Sequence, residues 1–308
     1  MADWQERITR ETNPAVRIEH DVRYALAVPL IRDSEVWADL GCGNGVAAAD
    51  ALGDEPVARA VLVDVEQSAA EEAARTVRAR ETTPLRADLT DPADLARLRD
   101  ALAGATGTIT CFETVEHLAN FAPLIETLAE LSERFTVLLS VPNDAFWALE
   151  NPYHQTVWSE GAFAELRSLL PAGNVVAHQV SLSGSAVVPE VEGAIEVEVP
   201  VRAGTDAVPT HFLAAFGPDA GRVAHLAAVT QTDLEERRRW ERQREADLAF
   251  AEAAHEELRA AQARLDEANA DLERVIGERE DFRRYIHELE ERLGLPRSGG
   301  EPAALPPA

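Results

Sequence analysis

The stretch "CFETVEHLANF", Cys111–Phe121, follows an apolar run and places Glu113, Glu116 and His117 within five residues. Two carboxylates and an imidazole so close together can hold a divalent cation, move a proton on and off a reacting hydroxyl, or form the polar mouth of a ligand pocket. If a helical turn starts at this point, Glu113 shares a face with Glu116 and His117. Further along, "NPYHQTVWS", Asn151–Ser159, supplies His154 from a loop rich in proline and aromatic residues. Glu113, Glu116, His117 and His154 together would suit Mg²⁺ or Mn²⁺. Without a metal, His117 or His154 could serve as a general base. The third alternative is a cluster that is only structural.

A second set of residues points to a bound ligand. "VWADLGCGNG" carries Asp39 ahead of Gly41, Gly43 and Gly45. Glycines at that spacing let a backbone approach a ligand closely at the mouth of a helix. A dinucleotide fingerprint would need its third glycine at position 46, which is Val46. About twenty residues on, "LVDVE" presents Asp64, suited to holding a ribose diol. Asp88 follows in "RADL" and can accept from an exocyclic amine; Phe112-Glu113 ends the next apolar run.

These residues need a scaffold that brings strand ends together. Apolar runs at 35–41, 59–65, 83–89, 107–113 and 135–142 read as strands, with helical patterns near 45–52, 67–80, 91–103 and 120–133 between them. Such alternation argues for a doubly wound parallel sheet, whose ligands lie at the carboxyl ends of the strands. A helix near 158–170 follows. Segments 174–184 and 210–217 could form an antiparallel pair at one sheet edge, separated by a Val-, Glu-, Pro- and Gly-rich insertion. From residue 233 to 293 there is no proline, and an apolar seam recurs by heptads: Ala251, Leu258, Leu265, Leu272, Ile286 and Leu293, broken by Arg279, with Ala254, Ala261, Ala268, Val275, Phe282 and Leu289 three residues on. That pattern predicts a coiled coil.

The succession "DLGCGNG", "LVDVE", "RADL" and "CFETVEHL" resembles the class I S-adenosylmethionine-dependent methyltransferases. The E-x-x-E-H-L stretch is similar to that of the ubiquinone-biosynthesis O-methyltransferase subgroup. The resemblance implies an α/β fold, a Rossmann-like seven-stranded mostly parallel sheet, and S-adenosyl-L-methionine as cofactor. It implies that Gly41, Gly43 and Gly45 pack on the methionine part, and that Asp39, Val65 and Leu89 also belong to the cofactor site. Asp64 would take the ribose, Asp88 would lie by the adenine, and Phe112 would line the pocket. A basic residue upstream of the first strand often meets the cofactor carboxylate in that family, and Arg23 is the candidate. The small-RNA 2′-O-methyltransferases have a similar Glu-x-x-Glu-His plus distant histidine that binds metal, although here the second histidine lies closer in sequence.

Composition bounds the function. The 308 residues carry a net charge of −26, and every basic residue is an arginine or histidine. So acidic a chain repels phosphate backbones, which argues against a nucleic-acid substrate. Two cysteines, a polar N-terminus and no long apolar run predict a reduced, cytoplasmic protein without a transmembrane segment. The expected organisation is a methyltransferase domain over 1–217, a linker over 218–232, a coiled-coil helix over 233–294 and a disordered tail over 295–308. The expected acceptor is a hydroxyl of a sugar, glycan or small metabolite. The coil is expected to bind a second copy or a partner protein. The alternative function is a non-catalytic coiled-coil scaffold that retains the cofactor domain.

Overall fold

The computed structural model describes residues 8–147, 151–181, 208–230 and 234–296. Most of the predicted insertion between the last two strands, and the tail beyond 296, lie outside these residues. The chain falls into two compact units, Met1–Arg237 and Arg238–Ala308.

In the first unit, helix α1 (Pro14–Arg32) leads into strand β1 (Val36–Leu40), α2 (Val46–Leu52), β2 (Val57–Asp64), α3 (Gln67–Thr76), β3 (Ala79–Arg86), α4 (Pro92–Ala101) and β4 (Gly107–Cys111). Then come a 3₁₀ turn at Val115–His117, α5 (Ala122–Leu131), β5 (Phe135–Pro142), a short α6 (Asp144–Trp147), α7 (Glu160–Leu169), β6 (Val175–Gln179), β7 (His211–Phe216) and a short α8 (Ala220–Val223). Seven strands form one sheet in the order β3-β2-β1-β4-β5-β7-β6. β1 through β5 pair in parallel, and β7 runs antiparallel between β5 and β6. The expected antiparallel edge pair is therefore β6 and β7, with β7 inserted next to β5.

Burial follows from helices on both faces. Every residue of β1 and β5 is buried, as central parallel strands require. Alternate side chains feed two cores. Val36, Ala38, Ile109 and Val137 pack with Leu98 of α4, Leu128 of α5 and Phe163 of α7. Trp37, Ala60, Leu62 and Leu138 pack with Leu30 of α1, Ala48 of α2 and Ala73 of α3. Local chemistry sets several helix starts: the Asp91 carboxylate accepts from the Ala93 N–H ahead of α4, with Pro92 at its first position, and Ser159 caps α7 through the Ala162 N–H.

Two expectations shift. The third strand occupies 79–86 rather than 83–89, because it is the edge strand: half-exposed and holding Pro84, it has no buried apolar run to announce it. The structure adds α1, where the sequence pattern assigned no element; it has Pro29 inside it and no acidic residue in its first turn to mark its start. The second unit is dominated by α9 (Leu234–Leu293), a single helix of 60 residues.

Candidate active site

A cavity of about 550 Å³ opens at the carboxyl ends of β1, β2 and β4. Of the residues singled out from the sequence, Gly41, Gly43, Asp64, Val65, Asp88, Leu89, Phe112, Glu113 and His117 line it. Arg23, Asp39, Gly45, Glu116 and His154 do not border it.

The glycine loop divides into packing and binding positions. Gly41 and Gly43 have φ of +76° and +54°, where an L side chain is strained. A Cβ on Gly41 would sit 2.2 Å from Thr114 Oγ1, whereas one on Gly43 would meet nothing within 4 Å. Gly43 is thus the open floor of the cavity, and Gly41 lets the β4 loop close over β1. Gly45 packs on α3, since its Cβ would come 3.0 Å from Ala73 Cα. Asp64 is oriented by two backbone donors: Gly43 N–H to Oδ2 and Glu66 N–H to Oδ1, each 3.0 Å. Asp88 lies two residues past the end of β3, where Thr90 donates to its Oδ1 through N–H (2.8 Å) and hydroxyl (2.7 Å).

Asp39 is a buried brace behind the cavity. Tyr24 Oη donates to its carboxyl at 2.9 and 3.1 Å and Thr110 Oγ1 at 2.6 Å, while Trp37 Nε1 donates to Thr110 Oγ1 at 2.8 Å. Burial pushes the Asp39 carboxyl up to about 7, against the lowering effect of the Thr110 and Tyr24 hydrogen bonds. Tyr24 in turn packs edge-on against Phe112, with ring centroids 5.1 Å apart.

The acidic and imidazole residues separate into two groups. Glu113 carries the one positive φ of a non-glycine among the described residues, +48°. This turns its side chain toward β5 and β7. Ser140 Oγ donates to its Oε1 at 2.8 Å, His211 Nε2 lies 3.2 Å from Oε2, and Arg23 Nη2 lies 4.0 Å from Oε1. Burial opposes the charge on Glu113, but Arg23 and His211 outweigh it and hold the carboxyl well below the usual carboxylate range. Arg23 is itself buried and donates from Nη1 to Gln179 Oε1 at 2.9 Å, while its Nε and Nη2 find no hydrogen-bond partner among the described residues.

The second group is Glu116, His117 and His154. One ligand atom from each lies within 4.8 Å of the others. The Glu116 carbonyl accepts from the Gln155 N–H at 2.7 Å and from the Thr156 N–H at 3.3 Å. These bonds fasten the 151–156 loop to the 3₁₀ turn and bring His154 against His117, ring centroids 5.2 Å apart. His154 Nδ1 lies 3.0 Å from Asp144 Oδ1, and Asp144 Oδ2 accepts from the Trp158 N–H at 2.6 Å. A carboxylate on one imidazole nitrogen fixes the orientation of the ring, and the other nitrogen of His154, Nε2, lies 3.0 Å from Asn151 Nδ2. Burial, then the nearby Glu113 charge, raises the Glu116 carboxyl well above its ordinary value, and its buried Oε2 has no hydrogen-bond partner among the described residues.

Sequence reasoning assigned no role to His20 or His211. His20 lines the cavity and His211 pairs with Glu113. The sequence carried no signal for His211: the predicted pair of 174–184 with 210–217 sets it beside Gln179, and it comes opposite Pro142 only because β7 inserts next to β5. Among the loop aromatics, Trp158 is core against Phe121, Tyr153 lines the cavity, and Phe146 and Trp147 stay exposed as an edge-on pair.

Residues 12–181 match the family described as a methyltransferase domain, and the chain belongs to that family. A search of curated proteins finds no match. Among solved structures, the chain is similar to a SAM-dependent methyltransferase from Archaeoglobus fulgidus, at 13% identity and a TM-score of 0.42 over 65% of this chain and 93% of that one. It is similar to the methyltransferase domain of bacterial CtHen1-C, at 16% identity and a TM-score of 0.43 over 64% and 97%. It is also similar to the plantazolicin methyltransferase BpumL in complex with SAH, at 12% identity and a TM-score of 0.42 over 67% and 86%.

Proposed function

We propose that this methyltransferase uses S-adenosylmethionine to methylate a hydroxyl oxygen of a sugar, a glycan end or a small hydroxylated metabolite at the mouth of the strand-end cavity. The bound cofactor supplies a sulfonium methyl that is already activated for displacement. The cavity chemistry suits that cofactor. Gly43 leaves an open floor, Asp64 turns a doubly braced carboxylate toward a ribose diol, Val65 and Leu89 offer apolar faces to a purine, and Asp88 can accept from its amine. The chain's remaining work is to align the acceptor and take its proton.

The observation that carries the acceptor half is the buried Glu116 Oε2, without a hydrogen-bond partner among the described residues, beside His117 and His154. A buried carboxyl oxygen without a donor is costly; a divalent cation shared with two imidazoles would satisfy it and acidify a bound hydroxyl. Glu116, His117 and His154 would hold that ion, with Asp144 orienting His154. Glu113, which the sequence spacing grouped with them, instead positions His211 and the floor beside β5. If no ion binds, His117 and His154 are the bases that remain within reach of the cavity mouth.

The test has two readouts. Mn²⁺ titrated into the full-length protein, followed by electron paramagnetic resonance, should bind at one site and lose that binding in Glu116→Gln. Methyl transfer from labelled cofactor to a hydroxylated acceptor should stop with chelator and return with Mn²⁺ or Mg²⁺. Turnover that ignores chelator and follows a histidine-like pH dependence would move the reading to a metal-free base. Full activity in the His117→Ala, His154→Ala double variant would exclude both versions.

A further inference from the structure

The long helix α9 presents an apolar face that none of the described residues of its own unit covers. Leu258, Leu265 and Leu272 are 66%, 54% and 57% exposed, and Val275 and Phe282 are 56% and 67% exposed. An isolated helix gains nothing from showing water such a seam. The face has a definite texture. From 254 to 272, leucines fill one seam position of each heptad and alanines the other: Ala254, Leu258, Ala261, Leu265, Ala268, Leu272.

That texture discriminates between orientations. In a parallel in-register pair each seam residue meets its own copy. Leucine layers would then alternate with alanine layers, which leaves voids at Ala254, Ala261 and Ala268. In an antiparallel pair the two seam positions meet each other. Leu258 then faces the second copy's Ala268, Leu265 its Ala261, and Leu272 its Ala254, so every layer has the same volume. The same register sets Ala251 against the second copy's Val275.

One step further out lies the charge test, and it is independent of volume. Arg279 is the residue that breaks the apolar seam. In this antiparallel register it faces the second copy's Asp247, which also occupies a seam position. Among the described residues no carboxylate pairs with Arg279, while Asp247 accepts only a neighbouring amide, Gln243 Nε2 at 2.8 Å. A parallel pair would instead oppose Arg279 to Arg279 and Asp247 to Asp247. On one flank, exposed Leu248 falls opposite the second copy's Ile276. On the other, Arg264 meets its copy and Glu257 meets Asp271, at the solvent rim where charge pairs contribute little.

We propose that α9 pairs with α9 of a second copy of this chain as an antiparallel coiled coil over residues 247–279, with Arg279 of each chain set against Asp247 of the other. The paired segment is about 50 Å long at 1.5 Å per residue. The proposal is independent of the catalytic reading.

The experiment uses the full-length protein. Light scattering across a concentration series should give a dimer at tens of micromolar. Arg279→Asp and Asp247→Arg should each weaken the dimer by roughly tenfold or more by creating like-charge seam layers. The double variant Arg279→Asp, Asp247→Arg should restore it. Each position of a parallel pair faces itself, so the double variant would stay like-charged there and would not recover. Disulfide trapping gives a second reading that does not depend on stability: Ala261→Cys mixed with Leu265→Cys should cross-link, and Ala261→Cys alone should not. The native Cys42 and Cys111 are buried and do not interfere. A full-length monomer at these concentrations, cross-linking of Ala261→Cys with itself, or failure of the charge swap to restore the dimer would each overturn the proposal.

Discussion

Gly41→Ala and Gly43→Ala should behave differently, although both residues belong to one glycine loop and both have positive φ. Each alanine carries a backbone cost of about 1–2 kcal/mol for an L residue in the left-handed region. Gly43→Ala should carry little else, because its Cβ meets nothing within 4 Å. Gly41→Ala adds a collision: its Cβ would lie 2.2 Å from Thr114 Oγ1 and 2.9 Å from Thr114 Cγ2. Thr114 is buried, branched at Cβ, and held by its hydroxyl donating toward Leu40 O and Phe112 O at 3.1 and 3.0 Å, so it cannot swing aside. Overpacking of this kind costs about 1–3 kcal/mol, giving about 2–5 kcal/mol in all for Gly41→Ala. Urea unfolding followed by tryptophan fluorescence is the assay, since Trp37 is buried in β1 and reports the sheet. Adding Thr114→Ala should recover most of the extra loss, leaving the cost of the missing hydroxyl. Cofactor affinity should show the reverse order, with folded Gly43→Ala binding more weakly because it fills the cavity floor. Equal destabilisation by the two alanines, or no recovery with Thr114→Ala, would refute the division of this loop into packing and binding glycines.

Two buried groups should give pH dependences of opposite sign. Burial, with the Asp64 charge, holds the Asp39 carboxyl at about 7 against an ordinary value of 3.8. Between these values the folded chain keeps a proton that the unfolded chain has released, so this group makes stability fall as pH rises from about 4 to about 7. His20 is held down to about 3 by burial and by Arg23, against 6.5. The unfolded chain binds a proton there that the folded chain does not, so this group makes stability fall as pH drops from 6.5 toward 3. Asp39→Asn should therefore expose a steeper loss of stability on acidification, and His20→Gln a steeper loss on raising the pH toward 7. Urea midpoints measured at pH 4.5, 5.5 and 6.5 would check both, and parallel profiles for the two variants would contradict the assignment.

Much of the strand-end site was legible because its signals are local. A glycine loop after an apolar run, and an acid at the close of the next, report backbone geometry within a few residues. Asp64 and Gly43 consequently fall together, joined by a 3.0 Å hydrogen bond. The fate of Glu113 was not legible. Spacing grouped it with Glu116 on the assumption of a helical turn, but the turn starts only at Val115, and a positive φ at 113 sends the side chain toward His211. That partner comes from a strand almost a hundred residues away, and no local pattern can show it. Glu116 was named for its ligand chemistry. Its burial, and the carbonyl bonds that import His154, depend on the 151–156 loop folding back on the 3₁₀ turn. The heptads of α9 were plain because a seam of period 3.5 needs only the helix itself.

The central claim is that the strand-end cavity is a cofactor site organised by Asp64. Isothermal titration of S-adenosylmethionine into the full-length protein and into Asp64→Ala tests it most directly. Loss of two hydrogen bonds to a carboxylate should cost about 1.5–3 kcal/mol, roughly a 10- to 150-fold weaker affinity, with an unchanged circular-dichroism spectrum. Equal affinity for the two folded proteins, or no measurable binding to the wild type, would contradict it.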